Sequence, residues 1–332
     1  MSRPRLLLVA CLLISSMASA QTYPERPITI INGFGAGGGA DLFIRSIVPE
    51  VSEALGQPVL VDYRVGAGGN IAMAYVARAA LDGYVLLLGT PGLITNPLIF
   101  ADVKFDSLRD FAPVSLIGST QNVLIVDPAL PINSVKDLIA LAKAKPGQLN
   151  FSSSGVGSSL HLAGEFFKLA AGIDVVHVAY KGGVQAQADV VSGQAQMMFN
   201  VLPSALPLIK GGQLKALAVT GTTRSDTLPD TPTMIEAGLP GYVALTWNGV
   251  LAPANTPKPI VDKLSAAFRR ALGNTDVRKR LTAMGQDGLG TTPRGIRRLS
   301  AGRAGQMDAG DPGRRHPAPV TPHQMNREER AA

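Results

Sequence analysis

Cysteine is almost absent from this 332-residue chain: Cys11 is the only one. It lies in an N-terminal leader, so disulfides, thiol catalysis and cysteine-ligated metals are excluded from the body of the protein. Tryptophan occurs once, aromatic residues make up 5% and charged residues 17%, the latter below the roughly 25% of ordinary soluble domains. No run beyond the leader reaches the ~20 apolar residues that a membrane span needs. HExxH, GxxxxGK[ST] and paired metal-ligand spacings are all missing, which leaves metal and P-loop chemistry without support; no cofactor is expected. A basic body is missing as well. The net charge is +7, but the leader holds Arg3 and Arg5, and residues 294–332 hold eight arginines against four acids. Residues 21–293 carry 21 basic and 20 acidic side chains, a balance that argues against nucleic acid or an anionic membrane as partner.

The leader, "MSRPRLLLVACLLISSMASA", places Arg3 and Arg5 before an apolar segment from Leu6 to Ile14 and ends in Ala18-Ser19-Ala20. That is the layout of a cleaved signal peptide. A soluble mature chain starting near Gln21, cut near Ala20, is expected outside the cytoplasm, in the periplasm. Leu8-Val9-Ala10-Cys11 imitates a lipoprotein box, but the apolar stretch continues beyond it to the better site.

Strand-length apolar runs alternate with helical stretches. Strands are expected near Ile28 to Asn32, Pro58 to Tyr63, Val85 to Gly89, Val123 to Asp127, Leu149 to Ser152, Val175 to Tyr180, Ala195 to Phe199 and Leu214 to Thr220. Helices are expected from Asp41 to Leu55, stopped by Gly56, and from Ser134 to Lys145, opened by the capping spacing Ser134-x-x-Asp137. Another opens at Thr256-Pro257 and runs to Leu272. Such alternation predicts an α/β protein with helix-covered parallel sheets. Two blocks are visible, and the stretch after Met234 is too small for a third. It is expected to return to the first block, giving residues 21–121 plus 235–293 as one lobe and 122–234 as the other, with a ligand cleft between strand ends.

The loops after the strands are rich in glycine: "GFGAGGGAD", "RVGAGGN", "GTPGLITNP", "SSSGVGSSLHLAG" and "YKGGVQAQAD". Gly33, Gly35 and Gly38 fit GxGxxG, and Asp62 ends the next apolar run, which taken alone suggests a dinucleotide site. A nicotinamide cofactor is out of place outside the cytoplasm. Free N–H groups at helix starts favour any anion, and several such loops around one cleft point to a small carboxylated solute held by backbone donors. Catalytic arrangements are poor. Ser158 and His161 share a helix face without an acid partner, and "GVGSS" is not a GxSxG elbow; a secreted hydrolase using that pair is the enzyme alternative. His177, inside an apolar strand, reads as structural, and Phe34 and Trp247 either close over a ligand or fill the core.

The stretches "YPERPITIINGFGAGGGADLFIR", "LGQPVLVDYRVGAGGNIAMAYVARAALDGYVLLLGT", "SSGVGSSLHLAGEFFKLAAGIDVVHVAYKGG" and "LPDTPTMIEAGLPGYVALTWNGVLAPANTPKPIVDKL" resemble, in order and spacing, the Bug family of periplasmic solute-binding receptors. These serve tripartite tricarboxylate transporters. The resemblance implies a type II periplasmic-binding-protein fold, an organic carboxylate as ligand, permease subunits as partners, a monomer and no catalysis; presentation of the ligand to a sensor kinase is the alternative destination. Ligand-binding residues implied by matching positions are Phe34, Gly37, Gly38 and Asp41 in the first loop, and Ser154, Gly157, Ser158 and Ser159 in the second half. Tyr180, Lys181, Gly182, Gly183 and Asn200 complete the set. Gly35, Ala36 and Ala40 stand where the family pattern has prolines and a Ser/Thr, so a hydroxyl is missing from the first loop.

From Arg294 the composition changes to Arg, Gly, Ala and Pro. Read from the second base of each codon, Met307-Asp308 must give tryptophan, and Val320-Thr321 can give a stop. A frameshift near the Pro293 codon is therefore expected, the other possibility being a disordered basic extension.

Overall fold

A computed structural model of the chain describes residues 23–292. The expected signal peptide and the altered tail lie outside the described residues. β1 (Ile28–Asn32), β2 (Val59–Tyr63) and β3 (Val85–Gly89) run parallel with β1 in the middle. They are linked by α1 (Gly39–Leu55) and α2 (Asn70–Ala77), and α3 (Gly92–Ile99) follows β3. α1 stops where expected: Gly56 adopts φ 70° and its N–H closes on the carbonyls of Ser52 and Glu53.

β4 (Phe111–Val126) is a 16-residue strand that leads into the second half. That half comprises α4 (Val135–Ala144), β5 (Asn150–Ser153), α5 (Ser159–Ala171), β6 (Val176–Ala179), α6 (Gly183–Val191), β7 (Met197–Val201), α7 (Leu202–Lys210) and β8 (Lys215–Val219). Ser134 caps α4 by accepting the Asp137 N–H at 3.1 Å. β5 pairs in parallel with β6 and β7. The chain then returns through β9 (Leu245–Pro253), α8 (Lys258–Gly273), α9 (Thr275–Ala283) and β10 (Gln286–Gly288). β9 inserts antiparallel between β3 and β4, and β10 pairs antiparallel with β4, so the sheets are mixed rather than purely parallel.

β4 changes partners along its length. Up to Gln121 it faces β9; from Asn122 onward it faces β7 and β8. Both faces of its second part are covered, as a continuous apolar run requires. Leu124 and Val126 pack with Leu138, Phe167 and Tyr242, whereas Val123 and Ile125 pack with Val190, Met198 and Leu202. In the first half, Phe43, Ile44 and Ile47 of α1 meet Ile30, Leu88 and Phe268, and Met73 and Val76 of α2 cover Ile31 and Leu87. Each such buried side chain contributes ~1.5–3 kcal/mol of apolar transfer. Gly118 is needed in this packing, because a Cβ there would lie 2.3 Å from Phe43 Cζ.

The return crossing comes later than residue 235. Leu239 and Tyr242 are buried in the core of the second half, and the Tyr242 hydroxyl donates to Ala163 O at 2.6 Å. Only after Ala244, whose N–H reaches Thr220 O, does the chain enter β9. Apolar anchors in an irregular segment carry no periodicity, so the sequence gives no sign that Leu239 and Tyr242 stay with the second half.

Two strands thus cross between the halves side by side, stitched by buried side chains. Asn122 Nδ2 donates to Ala244 O at 2.8 Å, and its Oδ1 accepts from Thr246 Oγ1 at 2.9 Å. Thr220 Oγ1 accepts the Asn122 N–H at 2.9 Å and donates to Ala244 O at 2.6 Å.

Candidate binding cleft

The carboxyl ends of β1 and β3 in one half, and of β5 and β7 in the other, point into the gap between the halves. There lies a partly open pocket of about 40 Å³. Phe34, Gly38, Gly39, Ala40 and Thr90 form its wall from the first half. Ser154, Ser159, Leu160, Gly183, Asn200 and Val201 form it from the second, and Thr246 enters from the crossing strand β9.

Three helices begin at this wall. Gly39 opens α1, Ser159 opens α5 and Gly183 opens α6. The first N–H groups of a helix lack intrahelical acceptors, and each N-terminus carries roughly half a positive charge. α1 and α6 have no side-chain cap; in α5, Ser158 Oγ accepts the His161 N–H at 3.2 Å. None of the lining residues is charged. Backbone donors and hydroxyls therefore make up the electropositive lining, and the anion they suit needs no salt bridge. Gly39 is fixed by space: its Cβ would lie 2.2 Å from Val201 Cγ2 on the opposite half.

Of the sequence-predicted residues, Phe34, Gly38, Ser154, Ser159, Gly183 and Asn200 line this pocket together. Asn200 is braced by Gln187, which accepts from its Nδ2, while Asn200 Oδ1 accepts the Val201 N–H at 2.9 Å. The others are placed differently, each for a visible reason. The Asp41 carboxylate turns away from the pocket, accepting from Gly37 N at 2.9 Å, Tyr63 Oη at 2.6 Å and Arg45 Nε at 3.0 Å. It folds the glycine loop back on its own helix start, and burial together with this carboxylate pushes the Tyr63 phenol up. Gly37 thereby has its N–H engaged. Ser158 is buried as a helix cap, and Gly157 donates its N–H to His161 Nδ1 at 3.3 Å. The Tyr180 hydroxyl donates to Asp189, Lys181 is exposed, and Gly182 is the N-cap of α6. Gly39, Ala40, Thr90, Leu160, Val201 and Thr246 line the pocket without having been expected as ligand-binding residues. Thr90 could have been found, since it follows β3 in a glycine-rich loop; Thr246 carries no such signal.

The rings of His161 and His177 lie against each other, centroids 4.3 Å apart and planes tilted by 46°, with Phe151 4.7 Å from His177. His177 Nε2 and Ser153 Oγ are 2.6 Å apart. Burial first, then His161 and Lys168, push the His177 imidazole down to about 4. Burial also lowers His161, against the pull of Glu165. Neither ring is hydrogen-bonded to Ser158 Oγ. Among the described residues no group of three or more His, Cys, Asp or Glu is arranged to hold a metal, and no helix is long and apolar enough to cross a membrane.

The dinucleotide reading finds no matching geometry. A Cβ on Gly33 would lie 2.9 Å from Gly69 Cα, so that glycine lets two loops of the same half touch. Asp62 borders a separate open groove with Arg45, Val48 and Leu60 on the outer edge of the sheet.

The model of the tripartite tricarboxylate transporter family receptor matches residues 43–306, running past the composition break at Arg294. The protein BugT of Bordetella pertussis is 36% identical over 282 residues, 84% of this chain and 86% of BugT. Among solved structures, R. palustris Rpa4515 with adipate is 36% identical with a TM-score of 0.82, over 85% of this chain and 94% of that one. MatC (Rpa3494) from Rhodopseudomonas palustris with bound malate is 32% identical with a TM-score of 0.81, over 85% of this chain and 97% of that one. With two α/β halves, crossing strands and a cleft of helix starts that coincide with a family match over most of its length, the chain belongs to the tripartite tricarboxylate transporter receptor family and has its periplasmic-binding-protein fold.

Proposed function

We propose that the protein captures a small organic carboxylate in the cleft and delivers it, outside the cytoplasm, to the membrane permease of a tripartite transporter. The observation that carries this reading is the meeting of three helix N-termini at one pocket without a charged side chain. Together they supply roughly one and a half positive charges, enough to hold a carboxylate or a small dianion. The adipate in Rpa4515 and the malate in MatC support the ligand class. The lobes are residues 23–121 with 245–292, and residues 122–244. They close as a monomer around the solute. The protein catalyses nothing: Ser158 Oγ caps a helix and His161 faces Gly157 and His177. Removal of the leader near Ala20 releases it to the periplasm.

Isothermal titration with malate, adipate and a panel of other mono-, di- and tricarboxylates tests the reading. At least one acid binds with a single site per chain. Absence of binding by every acid in the panel overturns the carboxylate assignment.

A further inference from the structure

Beside the pocket, and outside its lining, runs a second contact between the halves. Asn96 of α3 is fully buried. Its Nδ2 donates to Gly68 O at 3.0 Å and to Asn70 Oδ1 at 2.7 Å, all within the first half. Its Oδ1 has no hydrogen-bond partner. Instead that oxygen is pressed against the other half: a Cβ on Gly157 would lie 2.2 Å from Asn96 Oδ1 and 2.9 Å from Phe100 Cε2. The neighbouring contact has the same character, since a Cβ on Gly68 would lie 2.2 Å from Val156 O. Gly68, Gly155 and Gly157 all have positive φ, at 62°, 119° and 80°, and the absence of a Cβ lets Gly68 approach the Val156 carbonyl and Gly157 approach the Asn96 side chain.

We propose that this seam is a closure-determining contact, with Asn96 the positioning residue that receives Gly157 when the lobes shut. The inference rests on the two-lobe receptor reading above. Asn96 holds Gly68 from one side and stops Gly157 from the other, so it fixes how far the β5–α5 loop, with Ser154 and Ser159, can swing onto the solute. Neither Asn96 nor Gly157 lines the pocket, and the seam therefore sets affinity for every solute by a common factor while leaving their order unchanged.

The test follows closure directly. Spin labels are placed on exposed positions of the two lobes, Glu53→Cys and Lys143→Cys, in the full chain with Cys11→Ser, and the interlobe distance distribution is measured without solute and with malate or adipate. In the wild-type background a closed population is present. Gly157→Ala weakens binding of either acid about tenfold by steric overlap and depletes the closed population. Adding Asn96→Ala makes room and restores a large part of both; Asn96→Ser, which keeps a donor for Gly68, serves as the second variant if the alanine form does not fold. A double variant that closes no better than Gly157→Ala, or a Gly157→Ala protein that closes like wild type, overturns the seam. If neither acid raises the closed population of the wild type while the solute-free distributions still follow the pattern above, the carboxylate reading fails and the seam stands. A wild type with no closed population under any condition overturns both.

Discussion

The cleft and the crossing strands lie within a few residues of each other, yet they are built on opposite rules. At the crossing, polar groups are mutually satisfied: Asn122, Thr220 and Thr246 bond to one another and to Ala244 O, and all three side chains are buried. At the pocket, two helix starts are left without side-chain caps, and beside it Asn96 Oδ1 is buried without a partner. Unmet hydrogen-bonding capacity is costly, at about 1–3 kcal/mol per buried group. A fold that pairs Asn122, Thr220 and Thr246 with one another while leaving helix starts at the pocket uncapped reserves those donors for something that arrives from outside. Thr246 belongs to both regions: it lines the pocket while its hydroxyl bridges Asn122 Oδ1 and Ser159 Oγ at 2.9 and 3.0 Å.

Substitutions can break the contrast from either side. The largest effect is expected at the hinge. Asn122→Ala removes the bonds to Ala244 and Thr246 from a site with no access to water, and lowers stability by about 3 kcal/mol, read by chemical denaturation in the absence of solute. Gly39→Ala should do the reverse. Its methyl group would meet Val201 of the opposite half; on the two-lobe reading that overlap is relieved when the halves part, so the ligand-free denaturation midpoint is expected to change little while solute binding weakens by about 2 kcal/mol, roughly thirtyfold in Kd. Titration of the same acids into this variant checks it.

The smallest effect is electrostatic and lies beneath the cleft. Folding lowers the His177 pKa from 6.5 to about 4, so the native state binds fewer protons than the unfolded chain in that interval. Its stabilising contribution is complete above pH 6.5 and is lost as the pH falls towards 4. The groups facing it are Ser153, His161 and Phe151, with Lys168 and Glu165 beyond. The melting temperature should fall with acidification over this range, and His177→Gln should flatten that slope; an unchanged slope contradicts the assignment.

The regular parts of the fold were legible because they obey local rules. β1 and β3 coincide with their apolar runs, Gly56 ends α1 with the left-handed turn that glycine permits, and Ser134 caps α4 through Asp137. The first twelve residues of β4, Phe111 to Asn122, were not foreseen as strand. Pro113 and Gly118 interrupt its pattern at the two points where its register with β9 shifts. β10 escaped too, since "QDG" has no apolar signal and is a strand only by pairing with Gly118 to Thr120. In the cleft, loops were legible but directions were not. Six of the residues expected there meet at the pocket, whereas Asp41 points back to Arg45 and Tyr63. Gly157 touches the opposite half rather than lining the pocket. Composition places a glycine or a carboxylate in a loop; only packing decides which way it faces.

The central claim is that the solute is held by main-chain donors at helix starts and not by a charged side chain. A crystal structure with a bound acid tests this most directly. The account predicts a carboxylate oxygen within hydrogen-bonding distance of N–H groups in the first turns of α1, α5 or α6, with no lysine or arginine in contact. A carboxylate seated instead on a basic side chain such as Lys181 or Arg64, or bound in the outer groove beside Arg45, would contradict it.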